Sequence, residues 1–353
     1  MTTLIGRLGI EVPIIQAGMA GGITTPEMVA AVAQAGALGT IGAGYMSDTA
    51  LKYDIRETKK LTDKPFAVNL FTLNLEAFSD DIQPMQQFLN RYREKLDMDV
   101  GDNSVKVHDY LQEKVNVIIE ENIKIVSTAF GSLSSMLVDR LKANDVTLIG
   151  MATNLEEAQS LEESGYDAIV AQGAEAGGHR GTFDVSKYPD GCQTGLHVLV
   201  QELLAHINLP VIAAGGIHTK SQVDAFLGMG VSAVQLGTRF LVAEEAGTNA
   251  AYRRALIKAR TNDTTITAVF SGRPARAIRN QFVNEMEESG IALHPFPAQN
   301  QMTKDIRSAG KEYSVADMQS LWAGQGVGAI EKEESVAEIV RSLVQTIDKH
   351  GIS

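Results

Sequence analysis

The sequence predicts a (β/α)8 barrel. Three observations carry the expectation: short apolar runs alternate with longer helical patterns, the runs number eight, and each run is continuously apolar. A strand without polar alternation is buried on both faces, as in a parallel sheet covered by helices. Eight such strand–helix units favour a closed barrel over an open doubly wound sheet. At 353 residues, 44% of them hydrophobic, the chain can bury a core of that size.

The eight runs are residues 13–19, 38–44, 66–71, 123–131, 146–153, 168–173, 210–216 and 233–238. Most are separated by the length of one helix and its loops. The gap after the third run is long. It holds Ile82, Met85, Phe88, Tyr92 and Leu96 at helical spacing, a polar break over 97–104, and a second helical pattern through Val107, Tyr110, Leu111, Val115 and Ile118. The gap after the sixth run includes the loop 181–195, which is long enough to cover a site. After Phe240 the chain is too long for a barrel loop. It predicts a small helical subdomain, residues 246–325, inserted between the eighth strand and its helix. The pattern Val336, Ile339, Val340, Leu343, Val344 and Ile347 is a packed helix that returns to the barrel, leaving 1–245 and 326–353 as the barrel domain.

Composition excludes several partners. A net charge of -12 argues against a nucleic-acid footprint, which needs a basic face. No basic run suits an anionic membrane, and no apolar stretch approaches the ~18 residues of a transmembrane helix. The first residues lack the apolar centre of a signal peptide. The single cysteine, Cys192, rules out an intrachain disulfide and fits a reducing, cytoplasmic compartment. No ligand spacing for a metal is found, so none is expected. A homo-oligomer is left open.

A barrel binds its ligand at the C-terminal strand ends, with phosphate commonly held by the loops after strands seven and eight. The sixth run opens into Gln172-Gly173-Ala174-Glu175-Ala176-Gly177-Gly178-His179-Arg180-Gly181. Its glycines let backbone approach a ligand, and His179 is a candidate proton-transfer group. Gly215 and Gly216 end the seventh run; Gln235, Leu236, Gly237 and Thr238 end the eighth. Their N–H groups and the Thr238 hydroxyl suit a phosphate. Ala17 and Gly18 would let a planar ring lie on backbone, with Met19 packed against it. Asn69 ends the third run, where its amide needs a partner. Blander readings stand beside these: core filling for Met19, a turn role for Asn69, a structural loop histidine for His179, and bracing for Glu175. Arg273 and Arg276 either reach the site or pair at the surface. Cys192 has no evident base and reads as incidental.

Taken together these segments resemble the nitronate monooxygenases (formerly 2-nitropropane dioxygenases), relatives of the flavin-dependent enoyl-acyl-carrier-protein reductases. The anchors run along nearly the whole chain: Gln16–Met19, Asn69-Leu70-Phe71, Gln172–Gly181, Ala214–Ile217, Gln235–Phe240, Ser271–Arg276 and Trp322–Gly326. The resemblance implies a TIM barrel with non-covalent FMN touching Asn69, Gln172, Gly177, Gly216 and 235–238, its phosphate near Gly216, Gly237 and Thr238. It also implies that His179 falls on the catalytic histidine. The implied activity is oxidation of alkyl nitronates, such as propionate 3-nitronate, by oxygen to a carbonyl compound and nitrite by way of a flavosemiquinone. The chain departs from the family at Gly18, where many members carry proline, and at Ser127-Thr128-Ala129 before Phe130. The alternatives are an NAD(P)H-dependent FMN reductase of enoyl thioesters or quinones, and a non-catalytic flavin- or phosphate-binding barrel.

Overall fold

Eight parallel strands follow one another around a barrel: Ile14–Gln16, Gly39–Gly42, Phe66–Phe71, Ile125–Ala129, Thr147–Ala152, Ala168–Gln172, Val211–Ala214 and Ala233–Leu236. The computed structural model describes residues 3–73, 81–102, 104, 105, 108 and 110–345. The first and second strands close the ring through the pair Ile15 and Leu38. There the Gln16 N–H donates to the Leu38 carbonyl at 2.9 Å and the Leu38 N–H to Ile14 at 3.0 Å. Each predicted run contains one strand. The runs overreach mainly at their C-terminal ends, where small and polar residues leave the sheet as loops.

The uninterrupted apolar strands are explained by two cores. Ile15, Leu38, Ile125, Ile149, Val170 and Ile212 fill the barrel interior, and the N-terminal helix Leu4–Leu8 adds Leu4 and Leu8 to that cluster. On the outer face Ile14, Ile41, Val68, Leu148 and Ile169 join the helix residues Val29, Leu141, Leu161 and Leu199. Burial on both sides removes the need for alternation.

The two insertions pack on each other. Helix Gln83–Lys95 buries Met85, Phe88, Leu89 and Tyr92 against Val269, Phe270 and Phe282, which follow the eighth strand. Arg93 on that helix is 2% exposed. It donates to both carboxylate oxygens of Asp305 (2.7 and 3.3 Å), to Gln86 and Asn90, and to the Met302 carbonyl at 2.8 Å. A cation so buried is retained only with partners of that quality. The second predicted helix runs over Leu111–Glu120, with Tyr110 as its N-cap at φ 52. Val107 and Ile347 lie outside the described residues.

The segment after the eighth strand is helical at Ala250–Lys258, Gln281–Glu288, Ala298–Met302 and Lys304–Glu312. It also carries an antiparallel pair, Thr264–Thr267 and Ala275–Ile278, so the segment is not wholly helical as its sequence predicts. The second of these strands pairs with Gly178–His179, setting Ala275 opposite His179 and Arg276 opposite Gly178. The insertion is thereby tied to the glycine-rich loop. The last helix, Val336–Val344, begins at a capping box of Ser335 and Glu338 and returns Val336, Ile339, Val340 and Leu343 to the barrel. Among the described residues no helix is long and apolar enough to cross a membrane, and no group of His, Cys, Asp and Glu is arranged to hold a metal.

Candidate active site

A cavity of about 470 Å³ lies at the C-terminal ends of the barrel strands, roofed by the insertions. Its size is in the usual range for a small-molecule site, about 300–1,000 Å³. Every strand-end residue singled out from the sequence borders it. Ala17, Gly18 and Met19 come from the first strand, Asn69 from the third, and Gln172, Gly177, Gly178 and His179 from the sixth. Gly215 and Gly216 come from the seventh, and Gln235, Leu236, Gly237 and Thr238 from the eighth.

Local contacts explain the residue types. A Cβ on Gly18 would sit 2.6 Å from the Cβ of Asn69, so glycine is what lets the first and third strand ends approach. Asn69 Nδ2 donates to Ser127 Oγ at 2.9 Å. The Gln172 amide clamps the loop, its Nε2 donating to the His179 carbonyl at 3.1 Å and its Oε1 accepting from Gly181 N–H at 2.8 Å. The side chain of Gln235 has no protein partner among the described residues. Thr238 Oγ1 accepts from Gly324 N–H at 2.9 Å, which leaves its own proton for a ligand.

The alternatives left open for the charged residues are resolved by burial. Both carboxylate oxygens of Glu175 accept from Leu196 N–H at 3.0–3.1 Å, at the start of helix Leu196–His206, whose N-cap Gly195 has no side chain to offer. Glu175 therefore braces the loop against a helix N-terminus. Arg273 and Arg276 are buried rather than paired at the surface. Arg273 lies over the Phe130 ring, 4.1 Å from its centroid, and donates to the Thr182 carbonyl. Arg276 donates to the Ala174 carbonyl at 3.0 Å. Arg180, whose role has no local sign in the sequence, is fully buried and donates to the carbonyls of Gly173, Gln172 and Cys192 at 2.7–3.1 Å. Three arginines thus hold the loop by its carbonyls. Cys192 is buried, with Asn154 Nδ2 3.2 Å from its sulfur.

His179 stands in an aromatic wall. Its ring lies 5.1 Å from Trp322, 5.8 Å from Phe130 and 5.9 Å from Phe296, the last two edge-on. Burial, and then the charges of Arg273 and Arg307, hold its pKa down to about 3, so the imidazole is neutral near pH 7. Its Nε2 is 2.9 Å from Ser271 Oγ, and Nδ1 has no protein partner among the described residues. Ser271 is fully buried and also lies 3.1 Å from the Arg273 carbonyl. One hydroxyl proton serves two acceptors. When it goes to Arg273, the imidazole donates through Nε2 and Nδ1 keeps a lone pair. When it goes to Nε2, Nδ1 carries the hydrogen. Rotation of one hydroxyl lets the neutral ring present an acceptor or a donor.

Comparison with known proteins gives a consistent set of similarities. The family model described as nitronate monooxygenase matches residues 2–346. A probable nitronate monooxygenase of Staphylococcus saprophyticus is 38% identical over 325 residues, 92% of this chain and 91% of that protein. Among solved structures, nitroalkane oxidase from Streptomyces ansochromogenes superposes with a TM-score of 0.90 at 33% identity, over 96% of each chain. FabK from Thermotoga maritima superposes with a TM-score of 0.76 at 29% identity, over 97% of this chain and 95% of that one.

Proposed function

Because this chain belongs to the nitronate monooxygenase family, we propose that it oxidises alkyl nitronates with oxygen, using non-covalently bound FMN, to a carbonyl compound and nitrite. The observation that carries the reading is a neutral histidine, aromatic on three sides, bordering a cavity whose edge also carries glycines and side-chain amides. A planar ring with donors and acceptors at its rim fits that edge. Asn69, Gln172 and Gln235 would hold the rim, and Gly18 and Met19 would lie against the ring. Backbone at Gly215–Gly216 and Gly237, with the Thr238 hydroxyl, would hold the phosphate. Bound there, the flavin supplies the electron transfer between substrate and oxygen, and the protein supplies position and electrostatics.

His179 then orients the substrate. A nitronate is already an anion and needs no proton removed. An imidazole held near pKa 3 is a poor base for an α-carbon proton. With the Ser271 proton on Nε2, Nδ1–H is available to donate to a nitronate oxygen. The neutral nitroalkane is accordingly the poorer substrate. The aromatic wall of Phe130, Phe296 and Trp322 excludes water and packs on alkyl carbon.

An anaerobic spectral titration of the FMN-loaded protein tests this reading, with propyl nitronate in one cuvette and NADH or NADPH in others. Rapid reduction by the nitronate and little bleaching by nicotinamide is expected. Fast bleaching by a nicotinamide without response to the nitronate would move the protein to the reductase alternative.

A further inference from the structure

Glu157, in helix Leu155–Glu163, has no part in the chemistry above, yet it is only 6% exposed. Its Oε2 accepts from Thr153 N–H at 2.6 Å and from Thr153 Oγ1 at 2.8 Å. Its Oε1 accepts from Phe183 N–H at 2.8 Å. The carbonyl of that same peptide group, on Thr182, accepts from Arg273 Nη2. One peptide unit is thus gripped by a carboxylate at its N–H and by a guanidinium at its C=O. It is not free to swing, because Thr182 Oγ1 accepts from Cys192 N–H at 3.0 Å and lies 2.9 Å from Thr153 Oγ1. Burial raises the Glu157 carboxyl, and the donors of Phe183 and Thr153 oppose the shift. Burial lowers the Arg273 pKa to about 10, and Glu157 is the charge that opposes that shift. Arg273 Nε is buried without a partner, so the peptide and Glu157 are central to keeping this cation in place.

The far side of the guanidinium lies over Phe130, 4.1 Å from its ring centroid, and Phe130 is the edge-on neighbour of His179. We propose that Glu157 and Arg273 form one buried charge pair, joined through the Thr182–Phe183 peptide, which fixes a positive charge beside His179 and keeps the imidazole neutral when an anion enters. Both are positioning residues, and only the identity of the anion rests on the nitronate reading above. An anion beside an imidazole favours its protonation. The resulting imidazolium would hold a nitronate more tightly and make an electron harder to remove from it. A fixed guanidinium opposes that protonation. The neutral spacer matters, because it lets Glu157 stabilise the cation without setting a carboxylate against the ring. The groups packed around His179 are consistent with this. Ser271, Phe130, Phe296 and Trp322 are uncharged, Arg180 and Arg276 donate to carbonyls, and Glu175 is bonded to Leu196 N–H. Arg307, on helix Lys304–Glu312, is the second cation acting on the ring.

The test uses FMN-loaded protein: wild type, Arg273→Met, which keeps packing on Phe130, Arg273→Lys, Glu157→Gln and the double variant Glu157→Gln/Arg273→Met. His179 ring signals are followed by NMR on histidine-labelled protein from about pH 8 to about pH 5, and assigned by their loss in His179→Gln. They should stay fixed in the wild type and in Arg273→Lys, and should begin to titrate at a pH about one unit higher in Arg273→Met. Titration in the wild type, or none in Arg273→Met, would overturn the proposal. Melting tests the pairing. Glu157→Gln and Arg273→Met should each lower Tm, and the double variant should melt no lower than the weaker single one, because removing the second charge relieves the first. Losses that simply add would separate the two residues. With propyl nitronate, kcat and KM of Arg273→Met should both fall from about pH 8 to about pH 6, with Arg273→Lys flat like the wild type. A pH-independent loss would leave Arg273 a purely structural part of the wall. A wild type that oxidises no nitronate would refute the activity, while ring titration and melting would still decide the charge pair.

Discussion

Gly177→Ala is the substitution whose effect the structure specifies most closely. A Cβ there would lie 2.3 Å from the Gly324 nitrogen, 2.6 Å from the Ala323 carbonyl carbon and 2.9 Å from Thr238 Oγ1. Ordinary contacts are about 3.5–4.0 Å, so the backbone at 323–324 must withdraw by roughly 1 Å. It is not free to do so. Gly324 N–H is bonded to Thr238 Oγ1 at 2.9 Å, and Gln325 N–H to the Glu175 carbonyl at 2.9 Å. Overpacking of this kind costs about 1–3 kcal/mol. The strain falls on Thr238, at the proposed phosphate end, so FMN affinity should drop by about 5- to 150-fold.

The control is Gly165→Ala. Gly165 has φ +82, and its nearest outside atom, Val138 Cγ1, would be 3.7 Å from the new Cβ. It pays only the left-handed backbone cost, about 1–2 kcal/mol, and it does not border the cavity. FMN affinity is read from flavin fluorescence on titration into apoprotein, and Tm is read with and without FMN. Both variants should melt lower, and only Gly177→Ala should bind FMN more weakly. If the Kd of Gly177→Ala stays within about twofold of wild type while its Tm falls like that of Gly165→Ala, the contact between the two loops does not hold the phosphate end.

Three further outcomes follow from the same geometry. Ser271→Ala leaves His179 Nε2 without its partner, at a cost of about 1–3 kcal/mol; nitronate kcat/KM should fall by about 5- to 150-fold with FMN still bound, and unchanged turnover would remove Ser271 from the histidine's function. Burial and nearby arginines depress the pKa values of His179 and His218 to about 3 and about 4. The unfolded chain therefore binds protons that the folded one does not between about pH 6.5 and pH 3–4, and stability falls as pH falls through that window. Urea melts at pH 7.5, 6 and 5 should show this, with a shallower slope in His218→Gln; equal slopes would exclude His218 from the linkage. Glu175→Gln keeps an acceptor for Leu196 N–H but removes the charge from the helix N-terminus, so Tm should drop by about 0.5–1.5 °C, corresponding to about 0.3–1 kcal/mol, and an unchanged Tm would show that the charge contributes nothing there.

The barrel was legible in the sequence because its strands are buried on both faces, which leaves apolar runs that no helix interrupts. The strand-end residues were legible because each sits within a few positions of its run. The pairings that complete the cavity were not, because they join distant segments. His179 and Ser271 are 92 residues apart. The strand Gly178–His179 is two residues long and pairs with Ala275–Ile278, itself only four residues and without strong alternation. Arg273 and Arg276 carry no local sign of whether they face solvent or protein. Only the position of the glycine-rich loop beneath them decides it. Arg180 sits beside His179 in sequence, yet its role depends on three carbonyls presented by Gln172, Gly173 and Cys192.

The cavity's two halves have different origins in the chain. Asn69, Gln172, Gly216, Gln235 and Thr238 stand at barrel strand ends, whose spacing is fixed by the closed sheet. Ser271, Phe296, Arg307 and Trp322 come from the segment after the eighth strand, held by Arg93 from the other insertion and by the strand pairing at His179. Side chains of the second group can change without disturbing the ladder that positions the first. The proposed cofactor therefore belongs to the barrel, while Phe296 and Trp322 beside His179 belong to the insertion. His179 lies on the seam, with its backbone paired to the insertion and clamped by Gln172 from the barrel. A substitution at Gly177 should therefore alter how firmly FMN is held.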